Sequence, residues 1–182
     1  ADGKTALVSA MDGRIWAYDR HAQTAQPFVD PPLMAAGLHE VPGRPDELLF
    51  CASRLWGETY PADERVGLYR LTISTRVIEP LVLHVPITPV GGARIWPLDA
   101  PEAPRLMQGA APTGSRPLAF CNDLEVSADG QRIYFSEPFA YAGASMGGGT
   151  VAEVIAMRGN GFVWMHDMSK NETRLVAHGL HF

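Results

Sequence analysis

The chain has 182 residues with a net charge of −5, and 46% of its residues are apolar while only 19% are charged. This composition provides enough apolar material for one packed domain. No run of basic residues exceeds two and no apolar stretch is long enough to span a bilayer, so the sequence predicts neither a nucleic-acid partner held by phosphate contacts nor a membrane span.

The 18 glycines and 15 prolines indicate many short elements joined by turns. Three predicted hairpins share one layout, in which a glycine precedes an alternating strand with aromatic residues, a polar turn and a second apolar strand. These hairpins cover residues 13–29, 67–82 and 161–176. Alternation at a period of two predicts strands with one buried face, and aromatic and β-branched residues suit such a surface.

Further strand-like segments precede each hairpin, at residues 6–9, at 37–41 and 47–52, and at 118–126 and 132–136. Repeated units of four strands are typical of β-propeller blades. The sequence therefore predicts an all-β chain of four-stranded antiparallel blades. We expect a single partial propeller domain over residues 1–182, with blade strands at about 5–30, 36–83 and 118–177.

Two insertions interrupt this pattern, at about 84–117 and 138–160. The first is rich in proline and glycine, and we interpret it as an extended loop across one face of the propeller. The second contains apolar residues at helical spacing, which predicts a short helix near 150–158. Long insertions on a propeller tend to cover its binding face.

Two full blades and part of another account for all of these strands. Propellers usually hold about four to eight blades, so the predicted strands form about half of a ring. An open arc exposes sheet edges and an apolar flank. We therefore expect a complementary chain or a symmetric second copy to complete the propeller.

Cys51 and Cys121 each lie in an apolar strand-like run. Free cysteines are often buried as small apolar residues, so core packing is the first interpretation, and one disulfide is left open. The chain begins with Ala1 rather than Met. This indicates a removed leader or a piece of a longer precursor.

A more specific signal lies in the third predicted blade. An Asn-Asp pair, Asn122 and Asp123, sits in an apolar run and is followed by an Asp-Gly turn at 129–130 and a strand at 133–136. This segment resembles the central signature of the strictosidine-synthase-like family, a six-bladed propeller group similar to paraoxonases and to gluconolactonases of the senescence-marker type. Residues 12–16 and 161–182 resemble further strands of that family.

The resemblance implies a divalent metal, first of all calcium, on the axis of a six-bladed propeller, with Asn122 as one ligand. Hard cations prefer such oxygen ligands. Asp123 is expected beside it, as a catalytic carboxylate or as support for the metal site. His39, near the end of a predicted inner strand, is a candidate general base. The candidates for the wall of a substrate pocket are Glu137, Tyr141 and His181. Purely structural roles stay open for each of these residues.

An axial cation would polarise an ester carbonyl, so the resemblance implies a hydrolase of lactones or aryl esters acting on a small-molecule substrate. Two alternatives stay open: a metal-independent enzyme that condenses an amine with an aldehyde, and a binding propeller without catalysis. The remaining ligands that the resemblance implies would lie before Ala1 and after Phe182. The missing initial Met and the location of such relatives favour a secreted or periplasmic protein.

Overall fold

The computed structural model describes residues 3–87, 114–140, 144–148, 151, 155 and 161–180. Within these ranges the chain forms antiparallel β-sheets, and three of them are built like blades. The first blade contains β1 (Thr5–Ser9), β2 (Ile15–Asp19) and β3 (Thr24–Val29). The second contains β4 (Met34–Val41), β5 (Arg44–Ser53), β6 (Gly67–Thr72) and β7 (Val77–Val82).

A small hairpin follows the second blade, made of β8 (His84–Pro86) and β9 (Ser115–Pro117). The third blade contains β10 (Leu124–Val126), β11 (Arg132–Glu137), β12 (Gly161–Asp167) and β13 (Glu172–Leu180). In every blade the strands are hydrogen-bonded in sequence order. The predicted all-β fold is confirmed: the described residues form two four-stranded β-propeller blades and a three-stranded one.

Because neighbouring strands are antiparallel, the short turns lie at one end of the strands of each blade and the long connections lie at the other end. The turns β4–β5, β6–β7, β10–β11 and β12–β13 are short. The long connections at 54–66, 83–123 and 138–160 all start from the opposite end of the strands. We call this side of the blades the loop edge. Functional residues concentrate on loops that a rigid scaffold positions, so the loop edge is where a site is expected.

The core lies between the blades and continues through all three of them. Its large members are fully or almost fully buried, among them Ile15, Phe50, Phe135 and Trp164. Alternation explains this burial, because every second residue of a strand faces the neighbouring blade. Leu49 and Phe50 are both fully buried, which shows that β5 is covered on its two faces.

Blades two and three are joined by a disulfide between Cys51 on β5 and Cys121 in the segment before β10, with 5.0 Å between the Cα atoms. The alternative that the sequence left open is therefore the one adopted. Ser53 reinforces the junction, since its hydroxyl donates to the Cys121 carbonyl at 2.6 Å and accepts from the Cys121 N–H at 2.7 Å. Cys51, Ser53 and Cys121 are all fully buried.

Parts of the two insertions lie outside the described residues. Of the first, residues 88–113 are not described, while its ends pair as the β8–β9 hairpin, which the sequence did not predict. Most of the helix predicted near 150–158 also lies outside the described residues. Of its positions, Val151 and Ile155 are described, and both are helical and exposed. The described part of the chain contains no helix that is long and apolar enough to cross a membrane.

Candidate functional site at the loop edge

Asn122 and Asp123 lie directly before β10, at the loop edge of the third blade. Their backbone is fixed to β11, because the Asn122 N–H donates to the Ser136 carbonyl at 3.1 Å and the Ser136 N–H donates to the Asp123 carbonyl at 2.9 Å. The Asn-Asp pair thus continues the ladder of the third blade beyond the last regular pair. Its position is set by the blade and not by a free loop.

The inner strand of the second blade approaches this pair through Gly37. The Gly37 N–H donates to the Asn122 carbonyl at 2.8 Å. A Cβ atom on residue 37 would lie 2.9 Å from the Cα of Asp123 and would also collide with the Asp123 carboxylate. Only glycine allows this close approach of two backbones.

Asn122 and Asp123 line a cavity of about 380 Å³, which we call the mouth cavity. Ser9 at the end of β1 and Met34 and Gly37 on β4 complete much of its wall. The Asn122 side chain is half-buried, and its amide has no hydrogen-bond partner within the described ranges. Asp123 is exposed, and its Oδ1 accepts from the Leu124 N–H at 2.9 Å. An amide and a carboxylate are therefore presented to one cavity where the first strands of three blades meet.

His39 is further along β4 than Gly37 by two residues, roughly 7 Å at the rise of a strand. Its Nε2 lies 2.9 Å from Oε1 of Glu125, and its Nδ1 lies 2.6 Å from the Glu40 carbonyl oxygen. His39 is not among the residues that line the mouth cavity. The structure therefore brings Asn122 and Asp123 together and places His39 in a separate pair that links the inner strands β4 and β10.

Glu137, at the end of β11, is fully buried. Its carboxylate accepts two 2.7 Å hydrogen bonds from Arg116, one of 2.9 Å from the Ala119 N–H and one of 2.9 Å from Trp164 Nε1. Charge-assisted bonds of this paired kind are among the strongest in proteins. Glu137 thus orients Arg116, whose side chain is 28% exposed, and does not itself face solvent.

Arg116 lines a second cavity at the loop edge, with a volume of about 640 Å³, which we call the arginine pocket. Arg54, which follows β5, and Arg65, which precedes β6, also line it. Nothing in the sequence pattern pointed to this site, because its arginines come from two segments that are far apart in the chain, the connection at 54–66 and the strand β9. The one available signal was that two of them lie in the long connection at 54–66.

The remaining predicted pocket residues, Tyr141 and His181, lie outside the described residues. Within the description, no group of three or more His, Cys, Asp or Glu residues is arranged to hold a metal ion. Calcium takes about six to eight oxygen ligands. Asn122 and Asp123 supply an amide and a carboxylate, so the described residues do not fit a calcium site by themselves.

No protein-family model matches the chain, and no curated protein matches its sequence. Solved structures with a similar architecture include two propeller proteins. The tricorn protease has 10% identity and a TM-score of 0.37, covering 97% of this chain and 22% of that one. An oligogalacturonate lyase in complex with manganese has 13% identity and a TM-score of 0.36, covering 96% of this chain and 50% of that one. The chain thus spans about a fifth and a half of these two propeller proteins, and the likeness concerns the fold alone.

Proposed function

We propose that this chain forms one arc of a propeller enzyme that hydrolyses lactones or aryl esters at the mouth cavity. The observation that supports this most is the pairing of Asn122, whose amide has no partner among the described residues, with the Asp123 carboxylate on one cavity wall. The strictosidine-synthase-like signature around these residues agrees with a small-molecule substrate. A cavity of about 380 Å³ is in the usual range for such ligands, about 300–1,000 Å³.

The chemistry can be written with the residues of this chain. The Asn122 amide donates a hydrogen bond to the ester carbonyl oxygen, where negative charge develops as water attacks the carbonyl carbon. The Asp123 carboxylate takes a proton from that water as general base. The bond between the carbonyl carbon and the leaving oxygen then breaks, and the same proton passes to the departing alkoxide. No step is assigned to a metal, because the described residues do not fit one.

In this proposal a divalent cation, first of all calcium, would be bound by Asn122 together with groups outside the described residues. Its test is separate from that of hydrolysis. Treatment with EDTA should lower the melting temperature, and calcium should restore it. If the melting temperature does not change, calcium has no place in the site.

We also propose that further blades complete the ring, supplied by a complementary chain or by a second copy. The first blade supports this, because Val8 on β1 and Tyr18 on β2 are 48% and 36% exposed. A blade normally buries such residues against its neighbour. Native mass measurement of the intact protein would show an assembly larger than one such arc.

A secreted or periplasmic location is proposed on the Cys51–Cys121 disulfide. Disulfides persist in oxidising compartments and are rare in the reducing cytosol. Fractionation of the source cells, followed by thiol labelling of the denatured protein, tests this proposal. A protein found in the cytosol with both thiols reduced would contradict it.

The hydrolytic proposal is tested on the full-length protein in its native assembly, with dihydrocoumarin and phenyl acetate as substrates. Asn122→Ala and Asp123→Asn should each lower kcat by about a hundredfold, the size expected for losing an oxyanion donor or a general base. Asp63→Asn, at an exposed position of the 54–66 connection, is the matched control and should keep the wild-type rate. Full activity of both mouth-cavity variants would show that the reaction takes place elsewhere.

A further inference from the structure

The arginine pocket takes no part in the proposed hydrolysis, and its composition is that of a binding site. Its volume of about 640 Å³ suits a small molecule. Val66 and Leu118 provide an apolar surface in its wall, with exposures of only 8% and 3%. Small-molecule sites typically combine such a surface with a few charged groups that fix the orientation of the ligand.

The positively charged groups on the wall include three arginines, in a protein whose net charge is −5. The side chains of Arg54 and Arg65 make no hydrogen bond or ion pair with the described part of the chain. A guanidinium carries a fixed positive charge and a planar set of N–H donors that match a carboxylate or phosphate. Two arginines on one cavity wall, neither of them hydrogen-bonded or ion-paired through its side chain to a described residue, therefore favour an anionic ligand.

Arg116 is the rigid member of the set. It donates three hydrogen bonds, two to Glu137 and one to the Pro117 carbonyl at 3.2 Å, and its guanidinium lies 5.5 Å from the Phe162 ring centre. Of the five N–H donors of an arginine, two are left without a partner among the described residues. Glu137 neutralises the charge of Arg116 and holds its guanidinium in place, so Arg116 contributes hydrogen-bond donors at a fixed position. Arg54 and Arg65 contribute net positive charge.

Glu64 is the acidic side chain on the wall of the pocket. Burial, followed by the nearby carboxylates of Asp63 and Asp30, raises its pKa, while Arg54 acts in the opposite direction. Its negative charge opposes an anionic ligand and is partly offset by Arg54. Glu64 therefore allows a test of which ligand charge the pocket prefers, since removing the negative charge of Glu64 should strengthen anion binding.

We propose that the arginine pocket binds a small organic anion, whose carboxylate or phosphate is held by Arg54 and Arg65 and whose apolar body contacts Val66 and Leu118. This proposal is independent of the hydrolytic one, because Asn122 and Asp123 line a different cavity. Failure of either proposal would leave the other untouched.

Calorimetric titration of the full-length protein with benzoate and with phenyl phosphate tests the proposal. At least one of the two should bind, and comparing them shows whether a carboxylate or a phosphate is preferred. Arg54→Gln combined with Arg65→Gln should weaken that binding by about tenfold or more, since two charged donors are lost. Glu64→Gln should strengthen it. Arg132→Gln, at an exposed position on the opposite edge of the third blade, is the matched control and should leave it unchanged.

Two further measurements keep the test decisive if the double variant fails to fold. Binding to the wild-type protein should weaken as salt is raised, because ions screen the attraction between an arginine and an anion. Benzyl alcohol, which has a similar apolar body and no charge, should bind at least about tenfold more weakly than the better anion. Equal affinity for benzyl alcohol, affinity that does not depend on salt, or no binding of either anion would each overturn the proposal.

Discussion

The Gly37 N–H donates a 2.8 Å hydrogen bond to the Asn122 carbonyl, which couples the inner strand of the second blade to the Asn-Asp pair of the third. No side chain fits at residue 37, because a Cβ there would lie 2.9 Å from the Asp123 Cα. The geometry of the mouth cavity therefore depends on a residue that contributes no functional group to it.

Gly37→Ala should destabilise the protein by about 1–3 kcal/mol, the usual cost of inserting a methyl group into a packed site. It should also lower ester hydrolysis, because Asn122 and Asp123 must shift. Gly43→Ala is the comparison: its added methyl group has nothing within 4 Å, but its φ of 76° is left-handed, which costs about 1 kcal/mol. Denaturation and kinetics together separate the two. If Gly37→Ala affected stability alone, the coupling would be wrong.

The Cys51–Cys121 disulfide joins residues 70 positions apart. Replacing both cysteines with alanine should lower the free energy of unfolding by about 2–4 kcal/mol, since the unfolded chain regains the entropy of an open loop. Because both residues are fully buried, dithiothreitol should reduce the native protein far more slowly than the protein in urea. Mass spectrometry after alkylation measures this difference. Rapid reduction of the native protein would contradict the burial.

Burial should determine how much each of two Glu–Arg pairs contributes to stability, since both have the same 2.7 Å separation. Glu137 is fully buried against Arg116, whereas Glu79 is 51% exposed beside Arg70. Glu137→Gln should cost about 3 kcal/mol, because it leaves Arg116 without its counter-charge in a buried site. Glu79→Gln should cost no more than about 1 kcal/mol. Urea denaturation measures both, and equal losses would show that burial does not control the effect.

Stability should fall as the pH drops below about 6.5, which is the ordinary pKa of a histidine side chain. His166 is 3% exposed, its Nδ1 lies 3.1 Å from Thr173 Oγ1, and burial lowers its pKa, with Asp167 partly opposing. Burial lowers the pKa of His178 as well. A pKa below the unfolded value means that protons bind the unfolded chain more tightly, so stability is full above pH 6.5 and is lost in acid.

Melting temperatures between about pH 7.5 and pH 5.5 check this dependence. His166→Gln should make the profile flatter, with the remaining slope due to His178. His21→Gln, in the exposed β2–β3 turn, should leave the profile of the wild type unchanged. An unaltered slope in His166→Gln would assign the pH dependence to other groups.

Alternation was sufficient to predict the hairpins. The strands Gly67–Thr72 and Gly161–Asp167 begin and end where the pattern indicates, although each is buried on both faces over part of its length. The β8–β9 hairpin could not be predicted, since each strand is three residues long and its partner is distant in sequence. Short strands carry too few alternating positions for a pattern to be recognised.

The candidate site was predictable only where a local motif marks it. Asn122 and Asp123 stand out as an adjacent pair, and the structure places them on one cavity. Arg116 and Glu137 are 21 positions apart, and only the folded blade brings them together. The Cys51–Cys121 bond could be considered but not chosen, because two cysteines in apolar runs are compatible with both states.

The disulfide also determines how the protein responds to mechanical force. If the chain is pulled from its two ends, tension passes directly from Cys51 to Cys121 and bypasses the residues between them. Those 70 positions correspond to about 240 Å of extended chain, which stays hidden until the bond is reduced. In a force spectrometer the contour length should therefore increase by that amount on adding a reductant. While the bond is intact, β6 and β7 carry no tension and should be the last strands to unfold.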